Sequence, residues 1–449
     1  MAIFKRRLVF WLIRAYLKQW GKIIFVSFLV GLGFFFLLKQ FLFSALVSLT
    51  SENRQVIGLV GSYTVNSIPS GILDHLSEGL TIVGDNGVAL PGLGTSWKIL
   101  DNGKTYQFTL KKGVYFTDGT PFTSKEIQLS YSDVTIQRPN PNEILFHLKE
   151  NYAPFLLTLS KPIFRTNFIG IGPYVLKSIT LNGSFIETMV LRTKDGSTTR
   201  IYQFYPTQDA VKLAFALGEI SSAVGLTDTV FNHTSFDRFP NAQITKSINH
   251  NVLVTLFYNT QDKDLSDKKI RDGLSYAIPD TFAQGQRAYS PISPLSYAYS
   301  NTTIHMQDTE HALVLLDGAG GVKNLPEFTI HTLSKYMLAA KIVQNAWDKI
   351  GVKTKIVVVQ DIPQHFQIFL GDFTVSKDPD QYTLWHSYQS NNITNFNSDK
   401  RIDKLLEDGR QTVDIAQRAK IYTDFQKYLL DEQPATFLYF PYSYTIKRK

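Results

Sequence analysis

Hydrophobic residues recur with a strand or a helix period along most of the chain after its first 55 residues. Apolar side chains alternate with polar ones over residues 106–110, which is the pattern of a half-buried strand. Residues 252–258 form an apolar run rich in β-branched and aromatic side chains, and this predicts a buried strand. Residues 336–350 carry their apolar side chains close to one helical face. The irregular alternation of the two patterns predicts an α/β fold of more than one lobe.

Cap residues and shorter apolar runs place further elements between these segments. Gly218 ends a helix over residues 209–217, and Ser266 begins a helix over residues 266–278. The remaining predicted helices are 401–407 and 416–430, and the remaining predicted strands are 56–60, 202–205, 352–359 and 435–440.

Two turn signals and a helix start lie close together after the first hundred residues. The Asp-Asn-Gly sequence at 101–103 can supply the positive φ angles of a short turn, and the Asp-Gly pair at 118–119 makes a second turn. Thr123 or Ser124 can then cap a helix that opens with Lys125. This block therefore predicts a hairpin followed by a helix.

The basic residues are concentrated at the N-terminus. The formal net charge is +8, but residues 1–51 contain seven lysines and arginines and no acidic residue, which leaves +1 for the rest of the chain. Such a distribution is typical of the cytoplasmic end of a membrane anchor, where positive charge accumulates. It does not indicate a nucleic-acid-binding face, and we expect no nucleic-acid partner.

Residues 23–49 form the predicted transmembrane anchor. Residues 23–38 are almost wholly apolar but fall short of the roughly 20 residues that span a bilayer, and residues 41–49 extend the apolar stretch. Residues 1–22 are predicted to be a basic amphipathic segment on the cytoplasmic surface, and residues 50–55 a polar stalk. A cleaved signal peptide is the alternative, although the apolar region is long and no A-x-A site follows it.

The chain lacks the motifs of familiar enzyme classes. It contains no cysteine, which excludes disulfides, thiolate metal sites, a cysteine nucleophile and a lipidated cysteine. Ser266 and Lys269 have S-x-x-K spacing, but the S-D-N and K-T-G partners are missing. The glycine-rich residues 318–321 lack the lysine of a phosphate loop, and the nine histidines form no H-E-x-x-H pair. We expect a protein that is not an enzyme and needs neither cofactor nor metal.

A series of short motifs runs through most of the chain after residue 55. It comprises the block from Trp97 to Ser130, Gly172-Pro173-Tyr174, residues 214–220, 257–259, 269–278, 290–294 and 347–352, Asp378-Pro379-Asp380 with Trp385, and residues 416–426. In order and spacing these motifs resemble the family 5 extracellular solute-binding proteins, the oligopeptide and dipeptide receptors of ABC importers.

The resemblance implies a two-lobed periplasmic-binding-protein-like α/β fold of type II, with an extra subdomain in the first lobe and a pair of strands crossing between the lobes. The first lobe would comprise residues 56–258, with residues 436–449 returning to it, and the second lobe residues 263–435. Residues 132–148 are fewer than is usual in the family, which predicts a trimmed subdomain.

The resemblance also implies a ligand site between the lobes. In peptide-binding relatives the peptide adds to strand edges, and an acidic residue three positions before the Asp-Pro-Asp motif binds its free amine. That position is Val375 here, so either the upstream Asp372 takes over through a shifted loop or the ligand has no free amine there. The predicted ligand-binding residues are Tyr63, Asn66, Asn259, Asp372, Phe373, Tyr382 and Trp385. A place in the core is the alternative for the aromatic members, and hydrogen bonding at the hinge is the alternative for Asn259.

The function predicted from these features is that of a membrane-anchored receptor, single-pass in the cell membrane, with an extracellular or periplasmic binding domain. Its partners would be a peptide or a small extended solute, ABC permease subunits, and the lipid bilayer through residues 23–49. One alternative is a ligand sensor or surface binding protein without a transporter. A surface hydrolase is the other.

Overall fold

The computed structural model describes residues 53–300, 305–397 and 400–449 together with scattered positions between 10 and 33. The chain divides into a small unit, residues 1–54 with 195–199, and a large unit of the remaining residues, which the following paragraphs describe. The described positions between 10 and 33 are helical. No helix among the described residues is both long and apolar enough to cross a membrane. Most of the predicted anchor, residues 34–49, lies outside the described residues.

Strands and helices alternate along the chain, as the α/β prediction requires. The strands are β1 (Asn53–Val60), β2 (Thr81–Val83), β3 (Ala89–Pro91), β4 (Gly94–Leu100), β5 (Thr105–Leu110), β6 (Val134–Asn140), β7 (Glu143–Leu148), β8 (Tyr174–Asn182), β9 (Phe185–Thr193), β10 (Thr198–Tyr205), β11 (Ser222–Leu226), β12 (Val230–Phe231), β13 (Thr234–Ser235), β14 (Ala242–Ile248), β15 (Val252–Tyr258), β16 (Gly285–Arg287), β17 (Phe328–Leu333), β18 (Thr354–Val359), β19 (Ile368–Thr374) and β20 (Ala435–Arg448). The helices are α1 (Ser70–Leu73), α2 (Phe155–Thr158), α3 (Gln208–Leu217), α4 (Lys268–Tyr276), α5 (Thr309–Asp317), α6 (Met337–Lys349), α7 (Tyr382–Trp385), α8 (Lys400–Gln411) and α9 (Ile415–Glu432).

One large sheet carries most of the strands, in the order β18-β17-β19-β15-β20-β11-β1-β10-β9-β8, and β14 and β16 also pair with β20. The long strand β20 lies in the middle of this order and joins its two halves. Its first part, residues 435–439, runs antiparallel to β15, and its last part, residues 442–448, runs antiparallel to β14. Because β14 and β15 are separated by three residues only, the chain crosses between the two halves of the sheet twice at the same place.

Separate apolar cores lie on the two sides of this crossing. Around β15, β17 and β19, one core contains the buried Trp347 of α6 and Leu274 of α4, and a second contains Trp385 and Phe425. Around β1 and β8–β11, one core contains Met189 and Leu191 and another contains residues of α3. The cores therefore include residues away from the crossing strands as well as residues on them. The crossing itself consists of β20 and the short link between β14 and β15.

A separate four-stranded sheet, in the order β4-β5-β7-β6, has its own core around Phe108, Phe146 and Phe155. The predicted turns are confirmed: Asn102 has φ 54°, and the amide of Thr120 donates to the Asp118 carboxylate at 3.0 Å. The helix predicted to open at Lys125 is wrong, because the chain makes only a single 3₁₀ turn over Ser124–Glu126.

The helix does not form because an arginine on a neighbouring strand donates hydrogen bonds to two of the carbonyl groups that the helix would use. The Arg138 guanidinium on β6 donates to the carbonyl oxygens of Ser124 and Ile127, each at 2.8 Å. Ile127 is extended and fully buried in the core of the small sheet. A local cap signal is therefore overridden by burial and by a long-range hydrogen-bond donor.

Elsewhere the predicted elements agree with the structure within a few residues. The buried strand 252–258 is β15, and Gly218 ends α3 with φ 87° in the left-handed region. The helix predicted from Ser266 begins one position later, because the carboxylate of Asp267 accepts the amide of Lys269 at 2.9 Å and is the actual cap. The closing strand predicted for 435–440 continues to Arg448, since β14 supplies a partner for its second half.

Candidate functional site

The end of β19 is paired on one side only. Its partner β15 follows it antiparallel along its full length, to the pair Val252 and Thr374. On the other side the parallel pairing with β17 ends at Leu370. Among the described strands, residues 371–374 therefore have a ladder partner on the β15 side alone. A sheet edge of this kind offers backbone hydrogen-bonding groups to an extended segment from outside.

Beside this edge lies a cavity of about 180 Å³. It is lined by Phe257, Ile362, Phe369, Asp372, Phe373, Leu384, Trp385, Asn391, Ile393 and Thr394. Three of the predicted ligand-binding residues, Asp372, Phe373 and Trp385, are thus brought together. Pockets that hold a whole small molecule usually have about 300–1,000 Å³, so this cavity has the size for one side chain of a longer ligand.

Three aromatic rings in tilted and edge-on contact form the floor of the cavity. The ring of Phe373 lies 6.0 Å from that of Phe257 and 6.3 Å from that of Trp385, and the last two rings also lie 6.3 Å apart. The indole Nε1 of Trp385 donates to the Gln381 side-chain oxygen at 2.8 Å, which fixes the ring orientation. These contacts produce a rigid apolar surface. Trp385 is therefore a core residue that also forms a wall of the cavity, and its role in ligand binding stays a prediction.

Among the described residues of the lining, Asp372 is the only acidic one, and it is already paired. Its carboxylate lies 2.9 Å from the Lys335 ammonium, while 23% of the Asp372 side chain remains exposed. Burial raises the pKa of the neighbouring Tyr336 hydroxyl, and the charge of Asp372 and a hydrogen bond with it raise that pKa further. Val375 is 2% exposed in the apolar core, so the residue three positions before the Asp-Pro-Asp motif carries no charge.

The Asp-Pro-Asp segment forms two turns that its own carboxylates close. The Asp378 carboxylate accepts the amide of Asp380 at 2.8 Å, and the Asp380 carboxylate accepts the amide of Tyr382 at 3.1 Å. Burial raises the pKa of Asp380, and the charge of Arg410 opposes that shift. The segment is therefore a loop with two turns. It leads directly into α7, whose Trp385 lines the cavity.

Two arginines from the following helices hold that loop, and the sequence analysis missed them. The Arg418 guanidinium binds both carboxylate oxygens of Asp378, at 2.7 and 2.8 Å, and Arg410 binds Asp380 with its Nε at 2.8 Å. Burial alone would lower the pKa of Arg418, but hydrogen bonds and the charge of Asp378 raise it. No local signal marks such pairs, because the partners are 30 and 40 residues apart.

The ring of Tyr382 packs against the Arg410 guanidinium and lines a different cavity. The Arg410 guanidinium stands 4.1 Å from the centre of its ring, and the His386 ring stacks on it at 4.2 Å. Tyr382 lines a second cavity of about 860 Å³ together with residues of the four-stranded sheet and of α8. Tyr382 is therefore not part of the lining shared by Asp372, Phe373 and Trp385.

Asn259 follows β15 and organises the loop beside it. Its side-chain amide donates to the Phe366 carbonyl oxygen at 3.0 Å, and its oxygen accepts from the Asn395 amide at 3.0 Å and from the Gln261 backbone at 3.2 Å. These bonds match the hinge alternative considered for this residue, because they tie the end of a crossing strand to two neighbouring loops.

Tyr63 and Asn66 follow β1, in the other half of the sheet. The Tyr63 hydroxyl donates to the Val60 carbonyl oxygen at 3.2 Å, and its ring packs edge-on against Phe204 at 5.4 Å. Asn66 is exposed in a turn closed by the Ser67 amide and the Thr64 carbonyl oxygen at 3.0 Å. Neither residue lines the cavity beside β19.

Within the described part of the chain, no three histidine, aspartate or glutamate side chains are grouped so that they could hold a metal ion. The cavity beside β19 combines an open strand edge, an apolar floor and one carboxylate. This arrangement can bind an extended, partly apolar ligand.

Comparison with known proteins gives the family. The sequence model of the bacterial extracellular solute-binding proteins, family 5 (middle part), matches residues 89–135 and 128–395. The chain belongs to this family. It is 25% identical to the oligopeptide-binding protein AppA of Bacillus subtilis over 472 aligned positions, which cover 86% of each chain. It is 23% identical to the dipeptide-binding protein of Escherichia coli, with the same coverage.

Solved structures show the same fold. CtaP of Listeria monocytogenes, described as an ABC transporter substrate-binding protein, superimposes with a TM-score of 0.74 at 20% identity and covers 88% of this chain and 94% of its own. DppA of Helicobacter pylori in complex with the peptide STSA gives a TM-score of 0.65 at 20% identity, with 90% and 95% covered. NikZ of Campylobacter jejuni in complex with Ni(L-His) gives 0.71 at 22% identity, with 89% and 94% covered. The family 5 chain thus has the α/β periplasmic-binding-protein-like fold that the sequence predicts.

Proposed function

We propose that this family 5 protein is a receptor that captures short peptides, or a similar extended solute, between two lobes and delivers them to an ABC permease. The first lobe comprises residues 56–258 with 436–449, and the second lobe residues 263–435. The observation that carries the proposal is the unpaired end of β19 beside a cavity of side-chain size. Relatives named as oligopeptide-binding and dipeptide-binding proteins support the choice of solute.

Peptide binding follows from the strand edge. An extended peptide that adds to residues 371–374 exchanges backbone hydrogen bonds with β19, and these bonds do not depend on the peptide's side chains. One side chain enters the cavity, where Phe373 and Trp385 provide an apolar surface. The crossing strands β15 and β20 form the hinge, so ligand contacts with both lobes favour the closed state.

Asp372 is proposed to bind the amino group of the peptide. Asp372 is among the residues that line the cavity, and its carboxylate holds the Lys335 ammonium, whose side chain is 57% exposed. A peptide amine can take the place of that exposed lysine, because a carboxylate that loses water needs a cationic partner. The alternative is a ligand without an amine at this point. Titration with a free and an N-acetylated peptide distinguishes the two.

Asp372→Asn is expected to weaken peptide binding roughly tenfold or more, since a desolvated ammonium loses its charge partner. The test is calorimetric titration of the full chain with Ala-Phe-Ala and with its N-acetylated form. The acetylated peptide should bind the unsubstituted protein as weakly as Ala-Phe-Ala binds the variant. Lys335→Gln, which removes the competing cation and keeps the carboxylate, is the matched control and should bind Ala-Phe-Ala at least as tightly as the unsubstituted protein.

The outcomes separate the parts of this proposal. Equal affinity of Asp372→Asn and unsubstituted protein would remove Asp372 from the amine site while leaving peptide capture in place. Mass spectrometry of solute that co-purifies with the protein tests capture itself, and a sample that neither carries nor binds peptide would contradict it. Turnover of the added peptide would favour the hydrolase alternative.

Residues 23–49 are proposed to anchor the receptor, with its lobes outside the cytoplasm, on the charge and apolar pattern of the sequence. In intact cells, or in spheroplasts if an outer membrane is present, added protease should digest the C-terminal lobes and leave a short protected N-terminal fragment. A cytoplasmic protein in the same cells is the control for lysis. Lobes that stay protected until the cells are broken would contradict the orientation.

A further inference from the structure

A third cavity, of about 730 Å³, lies on one face of the sheet around β1, far along the strand order from β19. The opposite face of these strands is covered by α3, whose Val211 would meet a side chain placed at Gly58. Ile57 and Leu59, which alternate with Gly58, point to the cavity side and line it together with Val224. The cavity therefore has an apolar floor built from neighbouring strands.

The polar part of the lining is cationic. Arg200, Lys447 and Arg448 line the cavity together with His75, and the described lining residues include no aspartate or glutamate. Lys447 is exposed near the end of β20. The Arg448 guanidinium is turned to the α3 side, where it donates to the Phe215 carbonyl oxygen, so the charges on the cavity surface are those of Arg200 and Lys447. A concave surface with two positive charges and no acid among its described lining residues raises the local concentration of anions.

Arg200 is held in place by neutral groups. Its Nη1 lies 2.8 Å from Nε2 of His75, its Nε donates to the Gln55 side-chain oxygen at 3.2 Å, and its guanidinium stands 4.8 Å from the centre of the Tyr174 ring. Burial lowers the pKa of His75, and the charge of Arg200 lowers it further, so the imidazole is neutral and can accept from Arg200. These contacts orient the guanidinium without cancelling its charge.

A buried hydroxyl in the same lining has no partner. Ser222 is 7% exposed, and its Oγ makes no hydrogen bond within the described residues, although unmade hydrogen bonds of buried groups are costly. The adjacent Ser221 hydroxyl, by contrast, donates to the Val56 carbonyl oxygen at 2.9 Å. The Ser222 hydroxyl is therefore a buried donor without a partner in the wall of this cavity.

We propose that this cavity binds an organic anion with an apolar body. The carboxylate or phosphate head group is placed near Arg200 and Lys447 and accepts the Ser222 hydroxyl, while the body packs on Ile57 and Leu59. None of these residues belongs to the cavity beside β19, so the site is separate from the proposed peptide site. It would give the receptor a second ligand whose binding does not require the strand edge.

The test uses three probes that share a phenyl body: 4-phenylbutyrate, phenyl phosphate and the uncharged 4-phenyl-1-butanol. Each is titrated calorimetrically into the full chain in neutral detergent, with protein-free micelles subtracted. At least one anion should bind with one site per chain and at least about tenfold tighter than the alcohol, the size of one hydrogen bond to a charged group. The tighter of the two anions identifies the head group as carboxylate or phosphate.

Substitutions separate this site from adventitious binding. Lys447→Gln removes an exposed charge, so the chain should fold normally, and the preferred anion should bind about threefold weaker. Ser222→Ala should also weaken that anion, while Lys427→Gln, an exposed cation on α9, should leave its affinity unchanged. Equal affinity for alcohol and anions, no anion binding at millimolar concentration, or an anion affinity unaffected by Lys447→Gln would each overturn the proposal. Asp372→Asn should leave anion binding intact, which separates failure here from failure of peptide capture.

Discussion

Arg418→Met is expected to lower the free energy of unfolding by about 3–5 kcal/mol, the usual cost of leaving one charge of a buried ion pair without its partner. The Arg418 guanidinium binds both oxygens of Asp378 and also donates to the Gly409 carbonyl oxygen at 2.7 Å and to the Tyr297 hydroxyl at 2.6 Å. All of these groups lose a partner together. The measurement is urea unfolding of the full chain followed by tryptophan fluorescence.

A double substitution tests whether the uncompensated charge is the cause. Arg418→Met with Asp378→Asn removes the charge but keeps an acceptor for the Asp380 amide, so the loss should be smaller than for Arg418→Met alone. Lys404→Gln breaks the exposed ion pair with Asp408 and should leave the urea midpoint unchanged. A single substitution that costs less than about 1 kcal/mol would show that the pair contributes little to stability.

Trp385→Ala is expected to cost about 3–5 kcal/mol, because a large buried side chain is replaced by a cavity that the surroundings fill only in part. Trp385 is 1% exposed and packs on Phe257, Phe373 and Phe437. The same substitution removes one wall of the proposed side-chain cavity, so peptide affinity should fall with stability. Urea unfolding and peptide titration of the same sample measure both effects.

Two other variants serve as comparisons: one removes only the hydrogen bond of the Trp385 indole, and the other is a control at an exposed aromatic residue. Trp385→Phe keeps most of the ring contacts but leaves the Gln381 side-chain oxygen without its donor, which should cost about 1–3 kcal/mol. Tyr388→Ala changes an aromatic residue that is 88% exposed and should not alter the urea midpoint. If Trp385→Ala unfolds at the midpoint of the unsubstituted protein, the aromatic floor of the cavity is not part of the stabilising core.

Local patterns predicted the elements well wherever a segment buries one regular face. The apolar run at 252–258 became β15 without a change of boundary, because a central strand buried on both faces needs continuous apolar residues. The cap signal before Lys125 did not produce a helix, because Arg138 takes the carbonyl groups that the helix would use. Both segments find their hydrogen-bond partners far away in sequence, but the apolar run at 252–258 reports the burial of the strand itself, whereas the cap signal before Lys125 carries no information about Arg138.

The candidate site could be predicted in part. Motif order pointed to the segment around Asp372 and Phe373, and these two residues line one cavity with Trp385. The same reasoning grouped Tyr382 with them, and the structure turns that ring toward Arg410 and a different cavity. Neither Lys335 as the partner of Asp372 nor Arg418 as the partner of Asp378 was predicted, because pairing between side chains far apart in sequence leaves no local pattern.

By itself the sequence determined the α/β class, the family, the basic apolar N-terminus and the central buried strand, since hydrophobic period, turn residues and motif spacing are all local properties. Only the tertiary structure decided that β20 crosses the sheet beside β14 and β15, that the end of β19 lacks a partner on one side, and that Ser222 and Arg200 share a cavity lining. Those features depend on which distant strands become neighbours, and burial and hydrogen bonding settle that choice across the whole fold at once.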